Sequence, residues 1–299
     1  MESGRAHRRK AGGETMKVGI DSYCYHRWFG EIYPDQQDPG SRWGFEDLLN
    51  RAVQLGVGGL SLETCFLKSL DPAYLSEVKA ALDDHGLERV LAWGHPDGLE
   101  AGRNHDAWKD LNALIPNVPH LGTRILRIVA SSLRFRDEPP EPQIREIAKM
   151  LKESAGIAVD NNVVLAVENH IDFTSTQILE ILDRVGSDHL RVTFDTGNAL
   201  RMLEDPVEAA RRLAPYVAAT HIKDLDACRH VSPKEWHFFS CVPLGTGLID
   251  LPGVVRALKE AGYTGLLAVE VDHPKDAQNE DAMVALGVAY LKDLIDRLA

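Results

Sequence analysis

LAVENH occupies residues 165–170 and LAVEVDH occupies residues 267–273, so the tetrapeptide Leu-Ala-Val-Glu occurs twice, 102 positions apart. Each copy is a short apolar run, of the length of a buried strand, that ends on a glutamate. A carboxylate at the end of a buried strand is costly unless it is paired or bound to a cation. The two glutamates, Glu168 and Glu270, are therefore the first candidates for a functional site.

The rest of the chain alternates short aliphatic runs with longer helical patterns. The predicted strands are residues 17–22, 59–62, 89–93, 124–130, 163–167, 190–194, 218–222 and 266–269. A predicted helix follows each strand, and eight such units in about 280 residues predict a parallel (β/α)8 TIM barrel. A doubly wound open sheet is disfavoured because no GxGxxG motif follows the first strand.

The first fifteen residues, MESGRAHRRKAGGET, differ in composition from the rest of the chain. They contain almost no apolar side chains and carry a net charge of +2. Because such a segment cannot contribute to a hydrophobic core, we predict that residues 1–15 are a disordered basic tail or an extension. Residues 16–299 are predicted to form a single catalytic domain, the barrel.

Composition narrows the class of protein. The net charge of −12 argues against a nucleic-acid partner, since phosphate binding relies on clustered Lys and Arg. No apolar run reaches the roughly 18–20 residues of a membrane span, so we expect no membrane contact and a cytoplasmic location. The four cysteines have no metal-binding spacing and are expected to be reduced thiols: Cys24, Cys65, Cys228 and Cys241.

Polar residues stand at the ends of four consecutive predicted strands. Strands five to eight end at Glu168, Asp195, His221 and Glu270. In a (β/α)8 barrel these strand ends meet at one rim, where catalytic residues lie. A single polar residue there often only caps the next helix, but three carboxylates together repel one another unless a cation is present. Both LAVE strands are therefore interpreted as ending in a ligand of a metal ion.

Four stretches of the C-terminal half resemble the xylose-isomerase-like barrels, a group of sugar isomerases, epimerases and related lyases. They are AVENH (166–170), FDTGN (194–198), HIKD (221–224) and LGTGLIDLPGVVRALKEAGYTGLLAVE (244–270). The resemblance is diffuse before Val163. It implies one divalent metal ion bound by Glu168, Asp195, His221 and Glu270. A shell of three carboxylates and one imidazole favours manganese or magnesium and admits cobalt or zinc, and manganese is the first choice.

The resemblance also implies a chemistry. The expected reaction is isomerisation or epimerisation of a keto-sugar or sugar acid through a metal-stabilised enediolate. Glu168 and Glu270 would be the acid/base groups on opposite faces of the reacting carbon as well as ligands. Asn198 stands where many epimerases of the group carry a histidine, and its amide cannot carry a proton near neutral pH.

Three other functions are weighed against this one. A lyase of the same fold would decarboxylate a 3-oxo sugar acid, or dehydrate a keto-polyol, through a similar enolate. A non-catalytic sugar-binding barrel is disfavoured because all four ligands are present. The DNA-repair endonucleases of the superfamily are also disfavoured, since residues 233–237, PKEWH, lack the Asp-x-His pair that they require.

Further candidates for substrate contacts lie close to the predicted rim: Lys223, Asn198, His95, Arg127, His26 and Glu63. Lys223 and Arg127 suggest either an anionic substrate group or a salt bridge to a rim carboxylate. For His26 and His95 the alternative is a structural histidine. Each LAVE glutamate is soon followed by another histidine, His170 or His273, which is expected to support the ligands.

A long loop is predicted from Lys223 to Gly247. It carries the aromatic cluster WHFF at residues 236–239. Long loops in compact domains are often lids or partner surfaces. The loop is therefore expected to close over a sugar or to pack on a neighbouring subunit, which leaves a homo-oligomer open.

Overall fold

The computed structural model describes residues 15–95, 97–275 and 279–298. Within these ranges the strands are β1 (Lys17–Asp21), β2 (Gly59–Glu63), β3 (Glu88–Ala92), β4 (Ile125–Ile128), β5 (Val164–Glu168), β6 (Leu190–Asp195), β7 (Val217–Ile222), β8 (Asp224–Ala227), β9 (Phe239–Val242) and β10 (Leu266–Val269). The helices are α1 (His26–Phe29), α2 (Phe45–Leu55), α3 (Pro72–Asp84), α4 (His105–Leu114), α5 (Pro140–Asp160), α6 (Ser175–Val185), α7 (Thr196–Arg201), α8 (Pro206–Leu213), α9 (Leu251–Glu260) and α10 (Glu280–Leu298).

Eight parallel strands close into a barrel in the order β1, β2, β3, β4, β5, β6, β7 and β10. The last strand pairs with the first, with Lys17 opposite Leu266 and Ile20 opposite Val269. The predicted (β/α)8 TIM barrel is therefore confirmed. All but residue 15 of the predicted basic tail lies outside the described residues.

Local sequence signals define the helix ends. The Asp71 carboxylate accepts a hydrogen bond of 2.9 Å from the Tyr74 backbone N–H and so caps α3. Thr174 and Gln177 form a capping box at the start of α6. The helix α2 ends at Gly56, whose φ of 61° is a conformation that glycine adopts without steric cost.

The barrel interior changes from apolar to polar along the strands. A small cluster from four strands, Val90, Ala219 and Leu266 with Ile125 packed against it, fills the lower part. Side chains two residues apart on a strand point to the same face. The position two residues after Ala219 is His221, and the position two after Ile125 is Arg127. The polar residues therefore form the next layer, towards the C-terminal rim.

The segment from Lys223 to Gly247 differs from its prediction as a long loop without secondary structure. Its strands β8 and β9 form an antiparallel pair, with Asp224 opposite Val242 and Ala227 opposite Phe239. The Asp224 carboxylate accepts hydrogen bonds from the backbone N–H groups of Gly245, Gly247 and Ile249. This carboxylate joins the start of the segment to its end. The prediction of a loop without secondary structure is therefore wrong.

Two short helices were also not predicted. The helix α1 follows β1 after a short 3-10 helix, Ser22–Tyr25, and α7 directly follows β6. With four and six residues they are too short to show a helical hydrophobic period. Across residues 15–95, 97–275 and 279–298, no helix combines the length and the apolar composition needed to cross a membrane.

Candidate active site

A cavity of about 560 Å³ lies at the C-terminal rim of the barrel. Most of the predicted site residues line it: Glu63, His95, Arg127, Glu168, Asn198, Lys223 and Glu270. They come from seven of the eight barrel strands or from the residues just after them. The structure therefore gathers at one cavity residues that are spread over more than 200 positions of the sequence.

Three of the four predicted metal ligands form a compact group. Glu168, Asp195 and His221 each offer one ligand atom, and these atoms all lie within 4.8 Å of one another. All three side chains are buried. Glu270 lies outside this group of three, although its Oε2 is 3.0 Å from His221 Nδ1. The arrangement is thus three ligands together with a fourth carboxylate at their edge.

The donor atoms of this group suit a divalent cation. Among the described residues, Asp195 Oδ2, His221 Nδ1 and Glu270 Oε2 are buried without a hydrogen-bond partner. Such atoms are destabilising unless something binds them. Two carboxylate oxygens and an imidazole nitrogen are ordinary ligands of manganese, cobalt and zinc. The residues present therefore fit the metal ion that the sequence predicts.

A carboxylate that the sequence analysis missed lies behind the histidine. Asp21, the last residue of β1, places Oδ2 3.3 Å from His221 Nε2. Its Oδ1 accepts a hydrogen bond of 2.6 Å from the Tyr23 backbone N–H. Metal-ligating histidines commonly contact a carboxylate through their other nitrogen. Asp21 ends a strand as the predicted ligands do, and that signal could have identified it.

Glu168 is held on both of its oxygens. Arg127 Nε donates to Oε2 at 2.5 Å, and Asn198 Nδ2 donates to Oε1 at 2.9 Å. Burial alone would raise the pKa of the Glu168 carboxyl, but Arg127 and His221 hold it well below its usual range. Asn198 thus bonds to a predicted ligand, whereas the sequence analysis considered only a contact with substrate.

Lys223 lies among carboxylates. Its Nζ is 3.0 Å from Asp195 Oδ2, 3.1 Å from Glu270 Oε2 and 2.8 Å from Asp272 Oδ2. Asp272 also pairs with Arg201, at 2.6 Å and 3.0 Å. Two interpretations of Lys223 were an anionic substrate group and a salt bridge to a rim carboxylate. In the structure Lys223 forms the salt bridge. The sequence analysis missed Asp272 and Arg201, although Asp272 lies two residues after Glu270 and so on the same side of an extended chain.

Arg127 also pairs with carboxylates. Besides Glu168, its NH1 atom lies 3.3 Å from Glu63 Oε1. Burial raises the pKa of the Glu63 carboxyl to about 8, and Arg127 offsets this only in part. One guanidinium group is therefore shared by two buried carboxyl groups, of which Glu168 has the shorter contact.

The histidines divide into two groups. His95 and His170 line the cavity, and the Nδ1 atom of each is buried without a hydrogen-bond partner among the described residues. His26 does not line it: its ring nitrogens lie 2.8 Å from the Tyr23 carbonyl and 3.0 Å from Gln36 Oε1. These contacts agree with the alternative that His26 is a structural histidine.

An aromatic side chain covers one side of the cavity. Trp236 lines it and packs 5.6 Å from Tyr33 and 5.4 Å from His273, measured between ring centroids. The Arg201 guanidinium lies 5.1 Å from the Trp236 ring centroid, within cation–π range. The segment from Lys223 to Gly247, predicted to be a lid or a partner surface, thus contributes a wall to the cavity. His273 lies at the outer edge, where its Nε2 is 2.8 Å from Asp35 Oδ2.

Comparisons with known proteins agree with this architecture. An inosose dehydratase of Clostridium botulinum (strain Alaska E43 / Type E3) is 22% identical over 303 aligned residues, covering 94% of this chain and 97% of the relative. The rhizopine catabolism protein MocC of Rhizobium meliloti is 26% identical over 286 aligned residues, covering 86% of this chain and 82% of the relative.

The structure of an L-ribulose 3-epimerase is similar to this one, with a TM-score of 0.71 over 95% of each chain. The two sequences are 20% identical, so this likeness shows a shared fold. A family model described as a xylose isomerase-like TIM barrel matches residues 49–294. The match spans most of the chain, and the protein belongs to the xylose isomerase-like TIM-barrel family.

Proposed function

We propose that the protein is a divalent-metal-dependent dehydratase of a cyclic or open-chain keto-polyol. It would remove a proton from the carbon next to the carbonyl group and expel the hydroxyl group of the following carbon as water. The observation that carries the metal-dependent part is the convergence of buried ligand atoms from Glu168, Asp195 and His221. Of these, Asp195 Oδ2 and His221 Nδ1 have no hydrogen-bond partner among the described residues. The similarity to an inosose dehydratase over nearly the whole of both chains supports elimination as the outcome.

The metal ion would be held by Glu168, Asp195 and His221, with Glu270 beside them. When bound, it would polarise the substrate carbonyl and lower the cost of the negative charge that develops on proton removal. Glu168 is suited to the ligand role because Arg127 and Asn198 fix both of its oxygens.

Glu270 is the stronger candidate for the base. Its Oε2 lies 3.0 Å from His221 Nδ1, but none of its contacts with the described residues has hydrogen-bond geometry, so a lone pair can still accept a proton. Lys223, 3.1 Å away, holds the carboxylate at this edge of the site. Burial raises the pKa of Glu270, but Lys223 and His221 lower it further, so the group is a carboxylate at neutral pH.

The charges around the cavity favour a neutral substrate. Among the described residues, the three buried cations that line it, Arg127, Arg201 and Lys223, all pair with buried carboxylates. Arg134 also lines the cavity; it is exposed and lies 4.0 Å from Asp97 Oδ2. A substrate carboxylate would have to compete with these contacts. The proposal therefore replaces the sugar acid considered from the sequence with an uncharged ketone that carries several hydroxyl groups.

Epimerisation is the second candidate, and one feature favours it. Glu168 Oε2 and Glu270 Oε2 lie 3.5 Å and 3.0 Å from the same His221 Nδ1 atom. Two carboxylates flank one centre, as a reaction that serves both faces of a carbon requires. Dehydration and epimerisation both begin with the removal of a proton next to the carbonyl group, and the arrangement supports that shared step.

Product analysis in D₂O separates the candidates. Purified protein loaded with manganese would be incubated with an inosose, with neutral ketoses and with a 3-oxo sugar acid. Formation of an unsaturated ketone from the inosose, seen by its ultraviolet absorbance, supports the proposal. Deuterium in an isomeric product without loss of water would replace it with epimerisation, and trapped CO₂ from the acid would replace it with decarboxylation. Absence of all three products would overturn the assignment as a dehydratase.

A further inference from the structure

We infer that Glu63 is the general acid that protonates the departing hydroxyl group. The inference rests on the dehydration proposed above and adds a residue to it. From the sequence, Glu63 is only a candidate substrate contact, and the dehydration proposed above uses Glu168, at the end of β5, and Glu270, directly after β10. Elimination of water also requires a proton donor on the oxygen that leaves.

Glu63 lies where a donor is needed. It is the last residue of β2, it is 4% exposed, and it lines the same cavity as Glu168 and Glu270. Space for its carboxyl group depends on Gly94. A Cβ atom at that position would lie 2.9 Å from Glu63 Oε2 and 2.8 Å from Cys65 Sγ. Gly94 lines the same cavity, and its missing side chain leaves room there for this carboxyl oxygen.

The charge of the surrounding network indicates that one of its carboxyl groups keeps a proton. Contacts link six buried carboxyl groups, three buried cations and one imidazole. The members are Asp21, Glu63, Glu168, Asp195, Glu270, Asp272, Arg127, Arg201, Lys223 and His221. Six negative charges against three positive ones leave an excess of three. A bound divalent ion removes two of these, and His221 must be neutral to act as a ligand. One negative charge remains, and a proton would neutralise it.

Among the three carboxyl groups that are neither proposed metal ligands nor the proposed base, Asp21, Glu63 and Asp272, Glu63 binds this proton most readily. Its one cationic partner in the network is Arg127, at 3.3 Å, and Arg127 makes a shorter contact of 2.5 Å with Glu168. Asp272, by contrast, has two cations, Arg201 and Lys223. Asp21 already has a partner on each oxygen: the Tyr23 backbone N–H donates to Oδ1, and Oδ2 lies 3.3 Å from His221 Nε2. Burial raises the pKa of the Glu63 carboxyl, in agreement with this assignment.

The nearby histidines are weaker candidates for the donor. The buried Nδ1 atom of His170 has no hydrogen-bond partner among the described residues, so no carboxylate is hydrogen-bonded there to hold a proton on it. His95 stacks on Trp93, with ring centroids 5.1 Å apart and planes inclined at 21°. Its role would be to contact a substrate hydroxyl group, and it serves below as the control.

The step balances in atoms and charge. A site carboxylate takes the proton from the carbon next to the carbonyl group, and the electron pair of that C–H bond forms a C=C bond. The C–O bond at the following carbon breaks, and its electron pair stays on the oxygen. Glu63 gives its proton to this oxygen, so water leaves. Glu63 is then a carboxylate, and solvent returns a proton to it as the base loses one.

The test uses Glu63→Gln in the manganese-loaded protein, with an inosose in D₂O. The variant keeps the size and hydrogen-bonding capacity of the side chain but has no acidic proton. We expect exchange of the C–H hydrogen to stay within a few-fold of wild type, and release of water to fall by at least ~10²-fold. Bound manganese should be unchanged. His95→Gln, the control, should raise KM and reduce exchange and water release in parallel.

A substrate with fluoride in place of the departing hydroxyl group sharpens the test, because fluoride leaves without being protonated. Glu63→Gln should release fluoride at close to the wild-type rate. Equal losses with both substrates, or unimpaired release of water, would overturn the inference. If wild type itself exchanges hydrogen without releasing water, the dehydration fails instead, and the inference with it.

A measurement without turnover addresses the proton directly. Infrared spectra of the manganese-loaded protein in D₂O should contain a protonated carboxylic acid band that Glu63→Gln lacks. Its persistence at equal intensity in the variant would overturn the assignment of the proton to Glu63. Should Glu63→Gln fail to fold, Glu63→Asp keeps the acid but shortens the side chain, so water release should again fall more than exchange. A parallel fall in both would count against the inference.

Discussion

His221 Nε2 lies 3.3 Å from Asp21 Oδ2, while Nδ1 of the same ring lies 3.0 Å from Glu270 Oε2. The strand β1 thus presents a carboxylate to the back of an imidazole that β7 supplies. A partner on one ring nitrogen fixes the tautomer and directs the lone pair of the other nitrogen. Asp21 therefore orients His221 towards the metal ligands, and the candidate metal site draws on the first strand of the barrel as well as the last four.

Asp21→Asn should weaken manganese binding by about 10–100-fold, the usual effect of removing a carboxylate behind a ligating histidine. The amide keeps the shape of the side chain, so the barrel should stay folded. Isothermal titration of the metal-free protein with manganese measures the change. Asp188→Asn removes a charge at an exposed position before β6 and is the matched control. Equal affinities of both variants would show that Asp21 does not act through His221.

The metal site itself predicts a stoichiometry. Purified protein should carry about one divalent ion per chain, as expected for one three-ligand centre with an open position. His221→Ala removes the imidazole of that centre and should lose most of the metal together with activity. Elemental analysis after dialysis measures the content. A variant that keeps its full metal content would contradict the assignment of His221 as a ligand.

Replacing Glu168 and replacing Glu270 should affect different properties of the protein, metal binding in the first case and hydrogen exchange in the second. Glu168→Gln and Glu270→Gln should each lower turnover by at least ~10²-fold, the scale of a general acid/base group. Glu168→Gln should also weaken manganese binding, since Glu168 belongs to the three-ligand group. Glu270→Gln should chiefly abolish hydrogen exchange in D₂O. Near-wild-type turnover in either variant would remove that glutamate from the mechanism.

The barrel and the metal ligands could be predicted because both depend on local patterns. Alternation of strands and helices is visible in short windows. Glu168 and Asp195 directly follow predicted strands, and His221 is the last residue but one of another. Asp21 was missed because the first strand was predicted to continue to Ser22, whereas β1 ends at Asp21. An error of one residue thus moved a rim carboxylate from the last position of the strand to the last but one.

The parts that could not be predicted depend on contacts distant in sequence. Lys223 and Arg127 could face a substrate or pair with carboxylates, and only the packing of Asp272 and Glu63 against them decides between the two. The pairing of β8 with β9 is held by backbone groups far away, including a hydrogen bond of 2.7 Å from Cys241 N–H to the His273 carbonyl. Neither contact has a local signal.

Lys223→Met should lower the free energy of unfolding of the metal-free protein by about 3–5 kcal/mol, the cost of removing one partner of a buried ion pair. Its Nζ compensates Asp195, Glu270 and Asp272, which would be left close together. Urea unfolding measures the change, and manganese should stabilise the variant more than wild type. Lys109→Met removes an exposed lysine as the control and should leave the midpoint almost unchanged. Equal midpoints for the two variants would contradict the prediction.

Gly197→Ala tests the placement of Lys223 without changing any charge. A Cβ atom at Gly197 would overlap with Cγ and Cδ of Lys223, and the stem of that lysine is buried. The lysine must shift, so Nζ should leave the carboxylates and stability should fall by about 1–3 kcal/mol, as for other overpacked sites. Gly156→Ala is the matched control in α5, because no atom lies within 4 Å of its added Cβ. It should instead stabilise the helix by about 0.5–1 kcal/mol. Opposite shifts of the urea midpoint are therefore expected, and a stabilising effect of Gly197→Ala would mean that Lys223 is not held where the structure places it.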